Sequence, residues 1–314
     1  MKSSYLTLLL FSAVGCLTAF VLALLSNSCT KISLLSNTGH KIRIIKDIDY
    51  LPSDRMEKAD LYLPQRADEI VSPAIVLIHG GGWFGGDKAK KREASIAEFL
   101  AQNGFVAMSI NYQLSTKDSP SWPRNLYDCK TAVRFLRKNA SLYRIDPQKI
   151  ALVGFSAGAH LAALTALTAD NRDLAPQDQY SQIPSDVQAV VCFYGIYDLS
   201  ILEKKDSVRQ MLGKSEQQDP NLWSLASPTF HISRNAPPFL LVHGSADEVV
   251  SIKQSSLMHS SLLRAGVDSV FLPIEKSPHS FDLHPPNHDL TKVLLTWLNA
   301  KLNYPDNSNG EQIK

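Results

Sequence analysis

Ile150-Ala151-Leu152-Val153-Gly154-Phe155-Ser156-Ala157-Gly158 passes from four apolar residues into a serine flanked by glycines. The apolar run reads as a strand buried on both faces, because no polar residue interrupts it. Small residues from Ala157 to Thr168 read as the helix that follows. A Gly-x-Ser-x-Gly sequence between strand and helix makes a tight turn that lifts the serine hydroxyl out of the sheet. The hydroxyl then sits at the positive end of a helix dipole. Side chains at the flanking positions would crowd the neighbouring backbone, which is why both are glycine. A plain glycine-rich turn is the alternative, and the strand-to-helix context weighs against it.

The same alternation extends to both sides of this turn. Ile42–Tyr50, Lys58–Leu63, Ala74–Ile78 and Phe105–Ile110 read as earlier strands; Val187–Phe193, Phe239–Val242 and Val270–Ile274 read as later ones. Helical patterns fill Asp87–Gln102, a long stretch opening at Pro123, Ile252–Ala265 and Leu290–Leu302. Strands alternating with helices of this length predict the α/β class: a mostly parallel sheet of about eight strands with helices on both faces. One catalytic domain is expected over 31–303, followed by a polar tail at 304–314.

The chain has 314 residues, 32 Lys+Arg against 30 Asp+Glu, 44% hydrophobic residues and 20% charged ones. This is the composition of an ordinary globular protein and excludes a disordered chain, a collagen-like repeat and a coiled coil. A net charge of +2 offers no broad footprint for nucleic acid. From Tyr5 to Leu25 no residue is charged. Such a run is long enough to cross a bilayer, so residues 1–30 are expected to be a signal or a membrane anchor. Cys29 adds lipid attachment as a third option, although Asn27 suits a lipoprotein cleavage box poorly. Export, or anchoring through the N-terminus, is the expected localisation. Of the four cysteines, Cys129 and Cys192 lie in apolar surroundings and read as buried free thiols.

A second glycine cluster, His79-Gly80-Gly81-Gly82-Trp83, directly follows the strand Ala74–Ile78. Acyl transfer creates a negative oxygen that needs main-chain N–H donors, and glycine lets them approach without a Cβ in the way. Gly80–Gly85 also fits the Gly-x-Gly-x-x-Gly pattern of a dinucleotide loop. The next strand ends in Ile110-Asn111-Tyr112, without the acid a ribose needs, and Gly86-Asp87-Lys88 is not a phosphate loop. No cofactor is expected.

A serine nucleophile needs a base, and the base needs an orienting acid. After the strand Phe239–Val242 comes Asp247, and after Val270–Ile274 comes His279. Both sit on loops past strand ends, where a parallel sheet places functional groups. Asp198 is an alternative acid; Glu248 and Asp282 are weaker ones. His79, His160 and His243 read as structural hydrogen-bonding residues. His279, His284 and His288 with Asp282 and Asp289 fit no metal-ligand spacing, so no metal is expected. Trp83 and Phe84 are candidates for lining a substrate pocket.

With these residues in view, the chain resembles the α/β-hydrolase superfamily, and within it the esterase/lipase group that carries an H-G-G-G-W motif. Ala59-Asp60-Leu61-Tyr62-Leu63-Pro64, Asn111-Tyr112-Gln113-Leu114, Asp128, Ile145-Asp146-Pro147 and Pro237-Pro238-Phe239-Leu240 extend the likeness over most of 45–303. The resemblance implies Ser156 as nucleophile, Asp247 as acid and His279 as base, with the N–H groups of Gly81, Gly82 and Ala157 as oxyanion donors. It implies a serine esterase acting on small acyl or aryl esters. The same group includes kynurenine formamidases and feruloyl or acetylxylan esterases, and a silent binding module is the distant alternative. Two departures stand out. Ser280 occupies the place of a usual glycine, and the strands begin too soon after the leader for an N-terminal helical cap. An open pocket bounded mainly by 196–236 is therefore expected.

Overall fold

The computed structural model describes residues 40–65, 70–202 and 204–305. The expected signal or anchor at 1–30 lies outside the described residues, as does most of the expected tail.

Eight strands form one sheet: β1 (Ile42–Ile48), β2 (Ala59–Pro64), β3 (Ser72–Ile78), β4 (Val106–Ile110), β5 (Ile145–Phe155), β6 (Ala189–Phe193), β7 (Phe239–Gly244) and β8 (Ser269–Ile274). Their order across the sheet is β1-β2-β4-β3-β5-β6-β7-β8. The pairs β1/β2 and β2/β4 are antiparallel, and every pairing from β4 onward is parallel. This matches the expected α/β architecture.

Period-two alternation divides each central strand between two cores. In β3, Ala74, Val76 and Ile78 face one core while Ile75 and Leu77 face the other. The first core is covered by α2 (Arg124–Lys138), α4 (Ala157–Leu167) and α7 (Lys253–Arg264), through Leu126, Val133, Leu161 and Met258. The second is covered by α1 (Lys91–Gln102) and α8 (Thr291–Lys301), through Ile96, Leu100, Leu294 and Trp297. Three short helices, α3 (Ala140–Tyr143), α5 (Asp206–Leu212) and α6 (Pro220–Leu225), and two 3₁₀ turns, Arg172–Leu174 and Pro228–His231, complete the helical elements among the described residues. Cys129 and Cys192 are buried free thiols, as their surroundings predict.

Two boundaries differ from expectation by four residues or more; one is β5, which begins at Ile145 rather than Ile150. The helix expected from Asp87 begins at Lys91. Asp87 and Lys88 are used otherwise: Asp87 accepts from the Ala89 N–H at 2.7 Å, and the Lys88 ammonium reaches the buried Asp60 carboxylate at 2.6 Å. These contacts hold 87–90 as a turn and delay the helix by four residues.

Helix α4 begins where β5 ends, and Gly158 allows it to do so at close range. A Cβ at Gly158 would lie 2.1 Å from the Ile78 carbonyl oxygen at the end of β3. The serine turn and the glycine loop after β3 therefore meet at the carboxyl edge of the sheet.

Candidate active site

Ser156 sits at the N-terminal boundary of α4 with φ 54°, a left-handed conformation rare outside glycine. Its N–H donates to the Phe193 carbonyl at 2.9 Å, which fixes the turn to the end of β6. Asp247 lies past β7, and His279 lies past β8. The fold brings all three together. His279 Nε2 is 3.0 Å from Ser156 Oγ, and His279 Nδ1 is 2.6 Å from Asp247 Oδ2.

The carboxylate is shielded from solvent and fully engaged. Asp247 Oδ1 accepts from the N–H groups of Val249 at 2.9 Å and Val250 at 2.8 Å. Its Oδ2 also lies 3.1 Å from Nε2 of the buried His243. Burial alone would raise the carboxyl. The hydrogen bonds from His243, His279 and Val250 outweigh that effect and hold Asp247 below the usual carboxylate range. An ionised Asp247 in turn favours the Nδ1–H tautomer of His279, leaving Nε2 to accept from the serine hydroxyl.

The glycine loop borders this group. A Cβ at Gly80 would fall 3.3 Å from Ser156 Cβ. Gly81 has φ 127°, and a Cβ there would lie 2.1 Å from the Gly85 carbonyl oxygen, so only glycine fits. Among the described residues, the N–H groups of Gly81 and Gly82 have no protein acceptor. Ala157 opens α4, where a helix leaves its first N–H groups without internal partners.

A cavity of about 990 Å³ opens over Ser156 and His279. Phe84 lines it and is 53% exposed. Trp83 also borders it but is fully buried, and its indole N–H donates to His160 Nδ1 at 3.1 Å. Packing accounts for Trp83 as well as substrate contact does. The expectation that 196–236 forms most of the wall needs correction. Ile196, Leu202, Lys204, Asp206 and Ser207 do line it, but Lys91, Arg92 and Glu93 at the start of α1 form another side, with Val249 and Asp282 beyond.

The remaining candidates have other partners. Asp198 Oδ1 accepts from the N–H and hydroxyl of Ser200. Asp282 Oδ1 accepts from the His284 N–H at 2.7 Å, and exposed His284 lies 3.8 Å from Asp289. His79 stacks on Tyr112 with ring centres 4.4 Å apart. His160 Nε2 donates to the Ala226 carbonyl at 2.7 Å, and burial lowers its pKa to about 4. Both are hydrogen-bonding core residues, as expected. Sequence reasoning missed Tyr194, whose ring meets His279 edge-on at 4.7 Å, and Arg92, which donates to the Tyr194 hydroxyl at 2.8 Å. No motif marks either one.

Comparison with known proteins identifies the family. Residues 59–262 match the BD-FAE family model. Esterase LipQ of Mycobacterium tuberculosis is 33% identical over 245 residues, covering 76% of this chain and 57% of LipQ. Esterase LipC of the same organism is 34% identical over 68% of this chain and 54% of its own length. The chain thus spans a little over half the length of these curated relatives. Among solved structures, a truncated carbohydrate esterase from gut microbiota superposes with a TM-score of 0.74 at 25% identity, over 85% of this chain and 98% of that one. The matched residues include β2 through most of α7, with the serine turn and Asp247 between them, and the chain belongs to the BD-FAE family of α/β-hydrolase esterases.

Proposed function

We propose that this protein is a serine esterase that cleaves carboxylic esters of small acyl or aryl groups through an acyl-enzyme intermediate. The continuous path from Ser156 Oγ through the His279 ring to Asp247, at 3.0 and 2.6 Å, carries the reading. In it, neutral His279 takes the Ser156 proton as Oγ bonds to the acyl carbon and the carbonyl π pair moves onto oxygen. The N–H groups of Gly81, Gly82 and Ala157 hold that oxyanion, each worth about 2.7–4 kcal/mol. When the tetrahedral adduct collapses, the bond to the leaving oxygen breaks and His279 Nε2–H protonates the departing alkoxide. Water oxygen then bonds to the acyl carbon as its proton passes to His279. The second adduct collapses by breaking the bond to Ser156 Oγ, which takes that proton as the free acid leaves. Asp247 orients the imidazole and stabilises its protonated form throughout.

The test is covalent labelling with a fluorophosphonate, beside turnover of p-nitrophenyl esters of increasing acyl length. Wild-type protein is expected to label and turn over, and Ser156→Ala to do neither. Labelling that persists in Ser156→Ala assigns the nucleophile elsewhere. A tenfold or greater preference for N-formylkynurenine over every ester overturns the ester assignment. The uncharged run Tyr5–Leu25 supports export or membrane anchoring of the enzyme. Cell fractionation with N-terminal sequencing tests that, and a cytosolic protein with an intact N-terminus refutes it.

A further inference from the structure

The base of the proposed triad sits on an irregular loop, and a loop side chain holds a fixed angle only if its surroundings fix it. Tyr194 provides that setting. It follows β6 directly, in a left-handed conformation with φ 41°, and its N–H donates to the Val242 carbonyl at 2.7 Å. The residue is thus pinned between the strand ends that carry Ser156 and Asp247. Its ring centre lies 4.7 Å from the His279 ring at 61° and 4.9 Å from Phe281 at 72°. Both arrangements are the edge-to-face type that aromatic rings favour.

The hydroxyl is engaged on both sides. It donates to the Phe281 carbonyl at 2.8 Å, two residues beyond His279, and accepts from Arg92 Nη1 at 2.8 Å. Arg92 is held in turn by an ion pair with buried Glu93 and by the Phe155 ring, whose centre is 4.5 Å from the guanidinium carbon. One phenol therefore ties the histidine loop to α1 and to the residue just before the nucleophile. None of these groups reaches the reacting atoms by a hydrogen bond.

We infer that Tyr194, anchored by Arg92, is the positioning residue that sets the His279 ring between Ser156 and Asp247. This inference rests on the proposed triad. Tyr194→Phe keeps the ring and removes both hydroxyl bonds, leaving the histidine loop untethered from α1. Misplacement of a catalytic group by about 1 Å can cost 100-fold in rate.

The experiment measures kcat, KM and pH–rate profiles on p-nitrophenyl acetate for wild type, Tyr194→Phe, Arg92→Met and the double variant, with active sites counted by fluorophosphonate titration. The expected result is a kcat per titrated site at least tenfold lower in each single variant, with KM within twofold in Tyr194→Phe, whose side chain does not line the cavity. The double variant should be no worse than the poorer single, because one tether is cut either way. The acidic limb of the kcat/KM profile should also move in Tyr194→Phe. Arg92→Lys, which keeps a donor, should recover most of the loss. Per-site kcat within twofold of wild type in Tyr194→Phe overturns the inference, as do losses in the two singles that multiply in the double. If Tyr194→Phe yields no titratable sites, Arg92→Met and Arg92→Lys decide alone, by the same kcat criterion and by whether lysine recovers it. Wild-type protein that fails to hydrolyse any ester would refute the proposed function instead.

Discussion

His243 and His279 hold the same oxygen of Asp247, with Nε2 of the first at 3.1 Å and Nδ1 of the second at 2.6 Å from Oδ2. The two imidazoles have different surroundings. His243 is fully buried, with Nδ1 against the Ser255 hydroxyl at 2.7 Å and Nε2 also 2.9 Å from the Val250 carbonyl, whereas His279 faces the cavity. His243 therefore fixes the acid, and the acid fixes the base. His243→Leu removes a donor to a buried carboxylate and leaves the Val250 carbonyl and Ser255 hydroxyl short of a partner. A stability loss of about 2–4 kcal/mol is expected in urea unfolding. Stability unchanged within 0.5 kcal/mol, on the order of an ordinary surface substitution, would contradict this role.

Asp247→Asn preserves shape and removes the charge that selects the histidine tautomer. A fall in kcat of about 10⁴-fold is expected, measured on the best p-nitrophenyl ester. The substitution also changes acid stability. The folded carboxyl has a depressed pKa, so its contribution is complete above the unfolded value of about 3.9 and is lost as pH falls through the folded value. Wild-type stability should therefore fall more steeply below pH 4 than that of Asp247→Asn. Equal slopes in thermal unfolding from pH 5 to 2.5 would count against the assigned shift.

A separate acid effect is expected at higher pH from His160. Folded, this residue is neutral until about pH 4, while an unfolded histidine takes its proton near 6.5. Between those values the unfolded chain binds the proton that the folded protein refuses, so stability falls as pH falls. The loss across this window is of the order of 3 kcal/mol. Urea unfolding at pH 7 and 4.5 measures it, and His160→Gln should flatten the dependence. An unchanged slope in that variant would assign it to other groups.

Ser280 has φ 66°, the left-handed conformation that favours glycine. Glycine would take this conformation without a side-chain clash. Ser280→Gly relieves about 1–2 kcal/mol of steric cost and gives back about half in chain entropy. The expected gain is about 0.5–1 kcal/mol, or roughly 2 °C in Tm by calorimetry. A lower Tm would mean that the serine side chain contributes more than its backbone costs.

The parts of the site that were legible in the sequence are those where chemistry and chain geometry coincide at one position. Ser156 has flanking glycines, Gly80–Gly82 form an unbroken run, and Asp247 and His279 each follow a clear apolar strand. Arg92 was hidden because no motif marks it within its helix. Tyr194 was hidden because its role depends on contacts with residues 102 and 87 positions away, which leave no local pattern. The helices α5 and α6, of seven and six residues, are too short to show a periodic apolar face.

Of the nine non-glycine residues with positive φ among the described residues, four (Trp83, Ser156, Tyr194 and Ser280) lie in the glycine loop, the serine turn or the segments packed against them. The carboxyl edge of the sheet is thus held in its working shape by the rest of the fold rather than by its own local preferences. Heat should undo this corner before the remainder of the molecule, so that hydrolytic competence vanishes while most helices and strands are still intact.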